Sequence, residues 1–157
     1  MKLFSEAAEY GMRAVIWLAD HPGQLWTVRE IAEGTKSKAG YLVRVLQLLA
    51  RAQIVTAQRG AGGGIALSIA PADLSILDVL NAVDPMARIT TCPLGLAEHG
   101  AKLCSLHRRL DEAAARIETN FAKVSVADLL DEKNPSRPLC ATGVPAKSGS
   151  GKSRRGA

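Results

Sequence analysis

The fold is decided by residues 27–68, TVREIAEGTKSKAGYLVRVLQLLARAQIVTAQRGAGGGIALS. The stretch opens with T-V-R-E, a capping box: the Thr27 hydroxyl can accept the amide of Glu30, while the Glu30 carboxylate reaches back to Thr27. A short helix from Val28 to about Glu33 follows, with Gly34 expected to end it and Thr35-Lys36-Ser37 to form a polar turn. A third helix is predicted from about Lys38 to Ala52. Leu42, Val45, Leu46 and Leu49 fall at i, i+3, i+4 and i+7 and form one apolar stripe. Lys38, Tyr41, Arg44 and Arg51 lie largely off that stripe. The chain then changes period. Ile54, Val55 and Thr56 are β-branched, as are Ile65 and Ile69, and between them lies the turn Arg59-Gly60-Ala61-Gly62-Gly63-Gly64. Two short strands around a glycine-rich turn read as a β-hairpin.

Outward from this segment the pattern is helical. Ser5 is a candidate cap at the start of residues 5–19, SEAAEYGMRAVIWLA, in which Ala8, Gly11/Met12, Val15 and Leu18/Ala19 recur at helical spacing. His21-Pro22-Gly23 stops that helix. On the other side, Ser75 stands as the cap of a helix over Ile76–Leu80 that Pro85 terminates. A long helix is predicted from about Leu103 to about Val124, with Leu103, Leu106, Leu110, Ala113/Ala114, Ile117 and Phe121 on one side. Ser125 caps a last short helix. From Glu132 onward Pro, Gly, Ser, Lys and Arg dominate, leaving too little apolar surface to offset ordering entropy, so this part is expected to be disordered. The expected fold class is mainly α with a small β-hairpin wing: a winged helix-turn-helix plus a long dimerisation helix. The expected divisions are 1–84, 85–102, 103–131 and a basic tail over 132–157.

Composition narrows the function. The net charge of +5 is unevenly placed. Residues 133–157 hold six basic and no acidic residues, whereas residues 1–132 hold fourteen basic and fifteen acidic. Within residues 36–72, however, Lys36, Lys38, Arg44, Arg51 and Arg59 stand without a single acidic residue. A basic patch flanked by acidic segments attracts a polyanion on one face only. There is no eighteen-residue uncharged apolar run for a membrane span, and residues 1–15 lack an apolar signal core. A cytoplasmic location without membrane association is expected. Three cysteines are too few for a disulfide scaffold and favour metal or redox roles. The tail sequence GSGKS, Gly149 to Ser153, resembles the end of a phosphate loop. Position 146 is alanine, though, and no strand–turn–helix context surrounds it, so nucleotide binding is refused. No nucleophile–base pairing suggests an enzyme.

Three helices and a hairpin in the order α-α-α-β-β are the winged helix-turn-helix order. Phosphate contacts supply affinity and side chains on a helix face reach base edges; Lys38, Tyr41 and Arg44 present such a face. The glycines let the wing backbone approach a sugar-phosphate chain, and Arg59 at its tip can enter a minor groove or bind phosphate. The same residues resemble the winged-helix domain of the IscR/NsrR-type bacterial transcription regulators, the Rrf-two family, with the R-G-x-G-G-G wing as a strong marker. The resemblance covers about residues 1–130. It implies a homodimer paired through the long helix, with each head on half of a palindromic operator in double-stranded DNA. It also implies that Ser37, Lys38, Tyr41 and Arg44 read DNA and that Arg59 with Gly60 makes the wing contact. Val43 stands where some members carry a polar base-contacting residue. A protein-interaction module on the same scaffold, without a cofactor, is the alternative reading.

The loop before the long helix reads CPLGLAEHGAKLCSLH, Cys92 to His107. Cys104 and His107 are three apart and would share a helix face. Thiolates hold iron–sulfur clusters, histidine can replace a thiolate at some irons, and zinc accepts similar donors. In the resemblance, Cys92 fits the first cysteine of the cluster-binding members, Cys104 the third, and His107 the histidine ligand of the IscR type. Glu98 occupies the middle cysteine position. Glu9 matches the acidic residue that, in the NsrR type, completes the site from the partner subunit. An iron–sulfur cluster, [2Fe–2S] in form, or a thiol switch without a cofactor is therefore expected at Cys92/Cys104. His99 is expected to be a polar loop residue, and Cys140 in the tail is expected to have no ligand role.

Overall fold

The computed structural model describes residues 4–96, 102–131, 133 and 138–139. The elements follow in the order α1 (Glu6–Asp20), α2 (Val28–Thr35), α3 (Ala39–Arg51), β1 (Val55–Gln58), β2 (Gly64–Leu67), α4 (Ile76–Val83), α5 (Ser105–Phe121) and α6 (Val126–Asp131), with a short 3-10 turn over Pro71–Asp73. The strands form an antiparallel hairpin with Val55 opposite Leu67 and Gln58 opposite Gly64. The fold is thus the mainly helical winged arrangement expected.

Short polar residues place the helix starts. Ser5 Oγ accepts the Ala8 amide at 3.1 Å. Thr27 and Glu30 complete their reciprocal box, and Ser75 forms a second box with Asp78. Ser125 and Asp128 repeat the device ahead of α6, through bonds of 2.8 and 3.1 Å. Each cap satisfies amides that the helix itself leaves open.

Helix α2 does not stop at Gly34. It continues through Thr35 and closes on Lys36, whose φ of 52° is left-handed, with the Ser37 amide donating to the Ala32 carbonyl at 2.9 Å. Gly34 has a packing role instead. A Cβ there would lie 2.2 Å from Trp17 Nε1, so the indole of α1 rests directly on the α2 backbone. At the end of α3, Gln53 adopts φ 60° and the Ile54 amide donates to the Leu49 carbonyl at 3.0 Å. That turn sends the chain straight into β1.

Helix α1 is the central element and packs against α2, α3, α4 and α6. The predicted stripe of α3, Leu42, Val45, Leu46 and Leu49, is buried, and it joins Val15, Trp17, Ile31, Leu74 and Val79 in one core. Full burial of each such aliphatic side chain contributes roughly 1.5–3 kcal/mol. Two pairings separated in sequence hold the periphery. Trp26 exchanges backbone bonds with Ile65 at 2.9 and 2.7 Å, adding one extended residue to the hairpin. The Ile76 amide donates to Val124 and the Val126 amide to Leu74, at 3.0 and 2.9 Å, which returns the chain after α5 to the head. Within the stretch expected to be tail, Leu139 packs against the core; apart from residues 133, 138 and 139 that stretch, Cys140 and GSGKS included, lies outside the described residues. Among the described residues no helix is long and apolar enough to cross a membrane.

Candidate nucleic-acid interface and cysteine site

The buried stripe of α3 fixes what the opposite side shows. With Leu42 and Val45 inward, Lys38, Tyr41 and Arg44 are exposed. Tyr10 from α1 steadies the start of this helix: its hydroxyl accepts the Lys38 amide at 3.4 Å, and its ring meets Tyr41 edge-on at 5.4 Å. Tyr41 is therefore partly a packing residue, still 38% exposed. Ser37 is half-buried, with Oγ 2.9 Å from Thr35 Oγ1. Thr35 Oγ1 in turn donates to the Ile31 carbonyl at 2.7 Å. Val43, 40% exposed, shares the outward side.

The hairpin tip spans Arg59 to Gly63, closed by the Gly63 amide donating to the Gly60 carbonyl at 3.0 Å. Gly60 and Gly62 have φ of 100° and 81°, a region that side chains disfavour. Arg59 and Gly60 are exposed. Among the described residues Lys38, Arg44 and Arg59 enter no ion pair, so their charges face outward without an internal counter-charge.

The cysteine site is built from two segments. Cys92 is buried at 9% exposure and begins a tight turn in which the Gly95 amide donates to the Cys92 carbonyl at 3.0 Å. Cys104 is the N-cap of α5, half-buried, with Sγ 3.3 Å from His107 Nδ1. Neither cysteine is in a disulfide. The helical offset of three residues thus brings thiol and imidazole together as the spacing implied. Glu98 and His99 lie outside the described residues. Glu9 is exposed on α1 and paired with Arg13, whose guanidinium sits 6.0 Å from the Tyr10 ring centre. Among the described residues no group of three His, Cys, Asp or Glu side chains is arranged to hold a metal ion. One chain therefore assembles a Cys104–His107 donor pair but not, by those residues, a complete ligand set.

Sequence reasoning missed a clasp beside this site. Arg88 forks onto Asp111, with Nε and Nη2 each 2.7 Å from a carboxylate oxygen, and Nη1 reaches Glu118 at 3.3 Å. The Ile89 amide adds a bond to Asp111 at 3.0 Å. Hydrogen bonding to Asp111 raises the Arg88 pKa above its ordinary value. The same bonds, first from Arg88 and then from the Ile89 amide, lower that of Asp111 despite opposing desolvation. No local spacing joins residues more than twenty positions apart, so nothing in the sequence flagged the pair.

Helix α5 itself has no buried residue. Leu106 and Leu110 are 62% and 50% exposed, and Leu94 and Leu96 of the preceding segment are 74% and 47% exposed.

Comparison with known proteins agrees with this architecture. Residues 4–132 match the Rrf2 family model, described as iron-dependent transcriptional regulator. Among solved structures, the IscR of T. potens is similar at 24% identity and a TM-score of 0.66, over 83% of this chain and 86% of that one. The global cysteine regulator CymR of B. subtilis is similar at 19% identity and 0.64, over 82% and 96%. An oxidized form of Staphylococcus aureus CymR is similar at 20% identity and 0.64, over 85% and 99%. At these identities the likeness to the solved structures concerns the fold.

Proposed function

The chain belongs to the Rrf2 family of DNA-binding transcriptional regulators, which are not enzymes, and on that footing we propose that it is a homodimer whose affinity for a palindromic operator follows the chemical state of Cys92 and Cys104. Residues 1–84 form the reading head, 85–102 the sensor segment and 103–131 the dimerisation region, while 132–157 adds a basic tail. Ser37, Lys38, Tyr41 and Arg44 face the major groove, and Arg59 with Gly60 forms the wing contact. Their outward charge, free of internal carboxylates, supports this assignment.

The observation that carries the sensor reading is the Cys104–His107 pair, 3.3 Å apart at the head of α5, a helix whose Leu106 and Leu110 are uncovered in the single chain. A chemical event at the start of this helix acts where two heads would be joined, so it changes their spacing. Two ligand sets follow from the donors. A [2Fe–2S] cluster would be held by Cys92, Cys104 and His107, with Glu98 of the same chain or Glu9 of the partner subunit as the oxygen donor. A bound cluster supplies a one-electron redox couple. The thiols without a cofactor form the other set, with reversible oxidation of Cys92 and Cys104 as the signal. Among the described residues no complete ligand set is assembled, which keeps the thiol switch alongside the cluster.

The test is anaerobic purification followed by iron and sulfide analysis and visible spectroscopy. Coloured protein that loses its visible absorbance in Cys92→Ala supports the cluster; colourless, iron-free protein leaves the thiol switch. Sensor control itself fails if DNA affinity is the same in every oxidation and metal state.

A further inference from the structure

Cys92 lies in a segment whose described residues after α4 ends at Val83 form no helix or strand to fix it. It is nevertheless buried. Arg88 and Ile89, four and three residues earlier, both end on α5. Three guanidinium contacts and one amide contact converge there. The two acceptors, Asp111 and Glu118, share a helical face with the Cys104–His107 pair. Cys104, His107, Asp111 and Glu118 are spaced by three, four and seven residues, which puts all four on one face of α5. The clasp therefore attaches the Cys92 segment to the same helical face that carries the other thiol and the imidazole. A bidentate arginine–carboxylate pair fixes direction as well as distance, which a lysine in that place would not do.

We infer that Arg88 is a positioning residue of the sensor: its fork onto Asp111, backed by Glu118, holds the Cys92 segment against the Cys104-bearing face of α5. The inference takes its purpose from the sensor reading, but its test needs no DNA, cluster or oxidant, so the two can fail separately. Full-length, metal-free, reduced protein is treated with iodoacetamide, and alkylation of each cysteine is followed by peptide mass spectrometry. Loss of the clasp opens the segment locally. In Arg88→Gln the Cys92 rate should rise about tenfold or more while the Cys104 rate stays within about twofold. Asp111→Asn, which keeps an acceptor for the Ile89 amide but loses the charge, should move Cys92 in the same direction. Arg88→Lys should fall between Arg88→Gln and the parent. Arg29→Gln, which removes a different surface ion pair with Glu33, should leave both rates unchanged. An unchanged Cys92 rate in both Arg88→Gln and Asp111→Asn would overturn the inference. So would Cys92 and Cys104 accelerating together in both, because the clasp would then serve stability in general rather than the placement of one thiol.

Discussion

The reading head and helix α5 are built from the same aliphatic alphabet with opposite outcomes. In α3 every fourth or third residue, Leu42, Val45, Leu46 and Leu49, is buried by neighbours in its own chain. In α5 Leu106 and Leu110 stay exposed, Ile117 and Phe121 are only half-buried, and no residue of that helix is fully buried. A helix seldom holds by propensity alone; packing of its apolar face supplies most of its stability. The head completes that packing internally. Helix α5 is held in the single chain by polar tethers: the Arg88 clasp at one side and the Ile76–Val124 and Leu74–Val126 backbone bonds after its end. The difference is between a part that covers its own apolar stripe and a part that leaves Leu106 and Leu110 uncovered in the single chain.

The largest expected break in that contrast comes from core truncation. Leu49→Ala should destabilise the head by about 2–5 kcal/mol, measured by urea unfolding. Leu110→Ala, at a half-exposed site, should change the stability of the head little while raising the dimer dissociation constant in analytical ultracentrifugation. Equal effects of both on head stability would erase the distinction.

Next are the outward charges. Arg44→Ala and Arg59→Ala should each weaken DNA binding by about 1–3 kcal/mol if they touch bases, or lower the salt slope by about one if they touch phosphate. Both should keep the parent unfolding midpoint. Normal binding by both variants would remove the helix and wing assignment.

A smaller effect is expected at the cap of α2. Thr27→Ala should cost about 1 kcal/mol, read as a lowered midpoint in thermal unfolding, and it should shift the placement of α3 through the short turn that follows.

The smallest is the pH dependence of the α5 tether. The Asp111 pKa is depressed in the folded protein below its ordinary 3.8. Its contribution is therefore fully present above that value and is lost as pH falls through the lower folded-state pKa. Asp128, depressed chiefly by the Ser125 amide, behaves alike. Acid titration of stability should be shallower below pH 3.8 in Asp111→Asn than in the parent; identical curves would mean that the tether carries no proton linkage.

How much of this was legible in the sequence depended on range. The Thr27–Glu30 box, the Leu42–Leu49 stripe and the Arg59–Gly64 turn are local, and each reads directly from spacing. Cys104 and His107 meet because three residues span nearly one helical turn. Other features depend on chain that returns from afar. Trp26 pairs with Ile65, Ser75 with Ser125, and Arg88 with Asp111, and none of these has a local pattern. Gly34 was expected to end α2 because glycine commonly does so. Its real constraint is Trp17, one helix away, which no window around Gly34 contains. Leu139 packs against the core from within a stretch whose composition reads as tail, since composition averages over single anchoring residues. Of the other expected ligands, Glu98 lies outside the described residues, and Glu9 is paired with Arg13 on its own helix.

The most direct measurement is DNA affinity as a function of cysteine state. Duplexes selected from a random pool, by the anaerobically purified protein and separately by the oxidised protein, are titrated with both forms by fluorescence anisotropy at fixed salt. Sensor control predicts an affinity ratio of about 5–150 between the forms, corresponding to roughly 1–3 kcal/mol of coupling, and a ratio near one in the Cys92→Ala, Cys104→Ala double variant. Equal affinity of the two parent forms for every selected duplex would contradict it.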